Sequence, residues 1–256
     1  PGDDIRNMDW RVTARTGDPH TKVFREERER PVLIWLDLNA SMFFGTRGCF
    51  KSVAATKAAA LLAWSTSMQN DRLGAMIFAG NDHIELKPRR GKSAVLDLIG
   101  RTCKHPAWTN SDHKQARNMG HAMSRLRKVT RPGSLLFLIS DFRDMDEQAE
   151  SHLINVARHN DVVLIQVYDP IEAELPPAGS YRVSDGDNDL QLNTTDKKLR
   201  RDYRQRFEQR QARLAKLCRQ HRMYLLPVST QEDVLASLQQ GLGIPASKHA
   251  QFKARR

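Results

Sequence analysis

The chain of 256 residues carries 41 Lys and Arg against 30 Asp and Glu, which gives a formal net charge of +11 and a pI near 9.9. With 39% hydrophobic and 28% charged residues it has a soluble globular profile, and one large domain or two small ones would fit this length. No apolar run approaches the ~18–20 residues of a membrane span, and the basic balance favours acidic partners: nucleic acid, anionic lipid or an acidic protein face.

The opening "PGDDIRNMDW" is charged, lacks an apolar core and lacks a starting Met, so it reads as the start of a fragment with upstream residues removed. Residues 1–30 are expected to form an arm packed on the domain, with Trp10 as its anchor and Asp3, Asp4 and Asp9 paired to Arg6, Arg11 and Arg15. "REERER" (25–30) reads as a solvated, salt-bridged approach to the first strand. "PVLIWLDL" is a continuous apolar run, hence a buried central strand. The helix "FKSVAATKAAALLAWSTSMQ" is expected to turn Phe50, Val53, Ala54, Ala58, Leu61, Leu62, Ser65 and Met68 inward.

"RLGAMIFAG" is the next strand, and "HIELKP" beyond the turn "GND" is its hairpin partner or an edge strand. The helix "KSAVLDLIGRTC", the irregular "KHPAWTNS" and a helix from about Asp112 to Lys128 follow. "PGSLLFLIS" is a second fully apolar strand that ends on an acid, Asp141; a helix over 147–159 and the buried strand "DVVLIQVYD" come next. "GSYRVSDGDNDLQLN" predicts a hairpin. A long basic helix runs from Thr195 to about His221, with Leu199, Tyr203, Phe207, Leu214 and Leu217 inward. "MYLLPV" is the last strand, and a short helix follows with Thr230 as N-cap and Asp233 at the capping-box position. Residues 244–256 are expected to form a basic flexible tail.

This alternation predicts an α/β fold over residues 31–243: a doubly wound, Rossmann-type, mostly parallel sheet with helices on both faces and one short antiparallel edge strand. In such sheets ligands sit outside the carboxyl ends of strands, where the strand order switches. Three loops qualify, after Leu36, around Thr109 and after Ile139. They carry Asp37, Asn39 and Ser41 at every second residue, then Thr109, then Asp141 beside Ser140. Two carboxylates with two or three neutral oxygens suit a hard cation such as Mg²⁺, with positions left for water or a partner's carboxylate. Thr102 is an alternative to Thr109 on the preceding helix, and the Asp37–Ser41 stretch alone also suits an ordinary strand-to-helix turn.

Other chemistry finds little support. Cys49, Cys103 and Cys218 are scattered and read as free thiols of a reducing cytoplasm. The nine His show no HExxH spacing, and neither a phosphate-binding Gly-rich loop nor a G-x-S-x-G elbow occurs. The residues therefore predict a protein that is not an enzyme.

Asp37, Ser41, Thr109 and Asp141 resemble the metal-ion-dependent adhesion site of von Willebrand factor A (vWA) domains, with Asn39 where that motif carries Ser. A narrower resemblance lies in "PGDDIRNMDWRVTART", the lead-in "KVFREERERP", "SMFFG" and "PRRG", which resemble the bacterial domain-of-unknown-function family numbered fifty-eight. That resemblance implies a vWA-like fold and pairing with a MoxR-type AAA+ ATPase, as adaptor or co-chaperone. Two functions follow as expectations. One is a protein-interaction module whose strand-end site meets an acidic side chain, with Phe43 and Phe44 plugging the loop. The other is a basic nucleic-acid-binding or metal-dependent phosphoryl-handling protein, for which salt dependence discriminates.

Overall fold

Strands rich in Val, Leu and Ile build the central sheet of the computed structural model, which describes Arg15 and residues 30–80, 82–109, 119–184 and 189–243. β1 (Val32–Asp37), β2 (Leu73–Ala79), β3 (Asp82–Arg89), β4 (Leu135–Ser140), β5 (Asp161–Tyr168) and β8 (Tyr224–Ser229) lie in the order β3-β2-β1-β4-β5-β8. All neighbours are parallel except β3, which runs antiparallel to β2 at the edge. β6 (Ser180–Ser184) and β7 (Asp189–Asn193) form a separate antiparallel ribbon.

Every residue of β1 is buried, as a strand covered on both faces requires. Its side chains alternate between two cores. Val32, Ile34 and Leu36 meet α1 (Lys51–Met68), α2 (Lys92–Cys103) and α7 (Val234–Gly241) on one face. Leu33 and Trp35 meet α3 (Met119–Val129), α4 (Glu147–Ala157) and α6 (Lys197–Gln220) on the other. A single turn, α5 (Pro170–Ala173), follows β5. The doubly wound sheet with one antiparallel edge is the architecture that the apolar runs predict. Among the described residues no helix is long and apolar enough to cross a membrane.

Helix faces differ from expectation at their ends. In α1 the buried stripe is Ala54, Ala55, Ala58, Ala59, Leu62 and Ala63, whereas Phe50 is 50% and Met68 86% exposed. Small residues let the helix lie close to the sheet. Its 18 residues, about 27 Å, nevertheless overrun strands of six or seven residues that reach about 20 Å. Leu199 near the start of α6 is exposed for the same reason, and Leu214, Leu217 and Cys218 near its end are buried. α7 begins one turn later than expected: Asp233 is its N-cap, accepting from Leu235 N at 2.8 Å, because Thr230 spends its hydroxyl elsewhere. The N-terminal arm, the expected helix start at Asp112, the tip of the "DGDND" turn and the basic tail lie outside the described residues.

Candidate functional site

The strand order reverses between β1 and β4, the point where doubly wound sheets open a ligand crevice. Asp37 is the last residue of β1 and Asp141 follows the last residue of β4, so both acids arrive there. Asp37 is buried with both oxygens engaged. Oδ1 accepts from Asn39 N at 2.8 Å and Asn39 Nδ2 at 2.6 Å, and Oδ2 accepts from Ser140 Oγ at 2.5 Å. Asn39 in turn accepts from Gly80 N at 2.7 Å through Oδ1, so its carboxamide ties the ends of β1 and β2 together. Burial, reinforced by the charge of Asp141, pushes the Asp37 carboxyl up to about 7 despite these bonds.

This bridge makes Asn39 a structural residue in its own right. Asn39→Ser keeps the backbone N–H bond to Asp37 Oδ1 but loses the side-chain bonds to Asp37 Oδ1 and Gly80 N. It is expected to cost about 1–3 kcal/mol in urea unfolding. A change below about 0.5 kcal/mol would show that the bridge contributes nothing.

Around Asp141 a second frame closes. Its Oδ2 lies 2.8 Å from Lys51 Nζ and its Oδ1 accepts from Arg143 N at 3.1 Å, with the Ser41 hydroxyl donating as well. Burial opposes ionisation of Asp141, yet the Lys51 ammonium and these donors hold its carboxyl below the usual value. Lys51 also pairs with Glu172 Oε1 at 2.7 Å; Arg143 Nη2 reaches the same oxygen at 2.6 Å, and Glu172 Oε2 accepts from Asp169 N at 3.1 Å. The Lys51 side chain is 0% exposed, and its ammonium stands 6.0 Å from the Phe44 ring centroid.

A third set of bonds braces the loop between β1 and α1. Asp169, at the end of β5, accepts from Thr46 N at 2.9 Å, Thr46 Oγ1 at 2.6 Å and Thr230 Oγ1 at 2.8 Å. Gly48 is required here: at φ +83°, a Cβ would stand 2.9 Å from the Thr230 carbonyl oxygen. Phe43 seats the loop edge-on against Trp108 at 5.2 Å.

The structure thus joins Asp37 with Asn39, and Ser41 with Asp141. Thr109 stands apart: it is exposed, and its hydroxyl donates to Pro106 O at 3.2 Å. Thr102 is buried and bonds Leu98 O at 2.8 Å within its own helix. Sequence reasoning missed Lys51, Glu172, Asp169 and Thr46.

Mg²⁺ needs carboxylate and carbonyl lone pairs free at about 2.1 Å. Here both oxygens of Asp37, the Asn39 carbonyl and both oxygens of Asp141 already accept bonds from the protein, and an ammonium shares Asp141. Lys51 and Arg143 offset Asp141 and Glu172, while Asp37 is near its midpoint at neutral pH. Among the described residues no group of three or more His, Cys, Asp or Glu is placed to hold an ion. With the Lys51 ammonium 2.8 Å from Asp141, the side chains as arranged do not fit Mg²⁺ on that carboxylate.

Asp141 and Glu150 line a small pocket together with Arg143, Gln166, Arg210 and Arg213. Arg213 pairs with Glu150 at 2.8 Å and Arg143 with Glu172, but Arg210 has only the Phe207 ring, 6.0 Å away, and no carboxylate of the described residues in ion-pair range. The buried Gln166 Oε1 has no hydrogen-bond partner among the described residues.

The family model described as "Protein of unknown function DUF58" matches residues 1–213. The uncharacterized proteins Rv1480 of Mycobacterium tuberculosis (strain ATCC 25618 / H37Rv) and Mb1516 of Mycobacterium bovis (strain ATCC BAA-935 / AF2122/97) are each 32% identical over 242 residues, covering 93% of this chain and 74% of theirs. Among solved structures, the conserved hypothetical protein BatB from Bacteroides thetaiotaomicron superposes with a TM-score of 0.53 at 18% identity, over 87% of this chain and 99% of its own. An aerotolerance-related membrane protein from Bacteroides fragilis NCTC 9343 gives 0.54 at 16% identity, over 84% and 97%. The chain shares the fold of these two structures, and it belongs to the family described as "Protein of unknown function DUF58".

Proposed function

We propose that the chain is a non-enzymatic protein-interaction module of the cytoplasm, an adaptor or co-chaperone for a MoxR-type AAA+ ATPase, whose strand-end face receives an acidic side chain of its partner. The observation that supports this reading is the pocket in which three guanidiniums, Arg143, Arg210 and Arg213, stand beside Asp141 and Glu150. Among the described residues Arg210 there has no carboxylate and Gln166 Oε1 no donor, which leaves room for an incoming acid and a flanking backbone N–H. A planar guanidinium takes a carboxylate in a bidentate pair, a stronger bond than neutral donors give. The basic outer face of α6 around the pocket would speed encounter with an acidic surface.

An affinity pull-down from the native cell tests the reading. Arg210→Glu is expected to lose the partner, and retention by the unsubstituted chain is expected to fall steeply with salt. Recovery of the same partners by Arg210→Glu and by Asp141→Ala would refute it. A low-salt shift of DNA or RNA that Arg210→Glu abolishes would assign the pocket to phosphate instead.

A further inference from the structure

We propose that Lys51 is the resident cation of the strand-end site, so that the polar frame closes on a tethered ammonium and needs no divalent ion. Helix formation does not explain Lys51. It is the first residue of α1, where the dipole favours acids and disfavours cations, and the N-cap Phe50 supplies no side-chain bond. Burial does not explain it either, because an ammonium at 0% exposure survives only when paired. Its partners do explain it. Asp141 at 2.8 Å comes from the end of β4, and Glu172 at 2.7 Å from the turn after β5.

The ammonium therefore cross-links the loops of two neighbouring strands to the start of the helix that leaves β1, which is the mechanical service a bound ion gives in a strand-end metal site. Its remaining side faces Phe44. A divalent ion on Asp141 would have to share that carboxylate with the ammonium, and like charges oppose this. Removing the ammonium leaves Glu172 with the Arg143 guanidinium and Asp141 with neutral donors among the described residues, and a latent divalent site opens. This inference stands apart from the partner reading: it concerns what closes the site, not what docks on it.

The test compares melting of the purified chain in chelator, in Mg²⁺ and in Mn²⁺. The unsubstituted chain is expected to melt at one temperature in all three. Lys51→Met is expected to melt lower in chelator and to regain at least about 5 °C with either ion, since an ion that binds the native state alone must stabilise it. A second measurement needs no variant. Amine acylation followed by peptide mass spectrometry should label Lys51 at least about tenfold more slowly than the exposed Lys57, at a rate unchanged by Mg²⁺. Stabilisation of the unsubstituted chain by Mg²⁺, or faster labelling of Lys51 when Mg²⁺ is added, would overturn the proposal. So would a folded Lys51→Met that neither ion moves. If Lys51→Met yields no folded protein, melting and labelling of the unsubstituted chain decide between the two outcomes.

Discussion

Lys51→Met is expected to lower the unfolding free energy by about 3–5 kcal/mol in urea titrations. The change leaves Asp141 and Glu172 buried without the charge they share. Methionine keeps most of the apolar stem, so packing changes little and the loss reads the electrostatics. Against a total stability of about 5–15 kcal/mol for a natural domain this is a large fraction. Lys51→Met combined with Glu172→Gln removes one orphaned acid with its partner and should cost less than the two single changes summed, because the residues touch. A Lys51→Met chain within about 1 kcal/mol of the original would show that the buried pairs contribute no stability.

Asp37→Asn should gain on the unsubstituted chain as pH rises. The Asp37 carboxyl is raised from 3.8 to about 7. Below about pH 4 it is protonated in both states and adds nothing. Between about pH 4 and 7 the unfolded chain ionises while the folded chain keeps its proton, so rising pH favours unfolding; above about pH 7 both are ionised and the penalty is constant. At about 1.4 kcal/mol per pH unit, the stability difference between variant and original should shift by up to about 4 kcal/mol towards the variant from pH 4 to pH 8. The lost ionic acceptor for Asn39 and Ser140 sets a constant offset but not this slope. A difference that stays flat across that range would contradict the burial of the Asp37 carboxyl beside Asp141.

Much of the fold was legible because its strands are covered on both faces. "VLIWL" and "LLFLI" are apolar throughout, and each leads within two residues to the acid that marks the switch point, so Asp37 and Asp141 could be placed from order alone. The alternation of strands with helices then gave the parallel sheet. Helix faces were less legible, since periodicity does not say where a helix overruns the sheet; Phe50, Met68 and Leu199 are outside for that reason. Lys51 escaped notice because a lysine normally signals solvent. One signal was available: it shares the stripe of Ala55, Ala58 and Leu62 at helical spacing, so the sequence sets a charge in line with the core. Glu172 had a signal too, in the Asp169-Pro-x-Glu172 pattern that forms a capping box after a buried strand. Thr230 could not be read, because its bond to Asp169 depends on β5 and β8 lying side by side.

The bonds that brace the strand ends also fix when they can form. Thr46 and Asp169 are 123 positions apart, Lys51 and Glu172 are 121 apart, and Asp169 and Thr230 are 61 apart. Each requires β5, and the last requires β8, to be docked before it returns the entropy spent on closing so long a loop. The polar frame is thus expected to form late in folding, on a sheet that the apolar strands order first. Changes within it are expected to raise the unfolding rate and leave the refolding rate nearly untouched, which stopped-flow kinetics in urea would check.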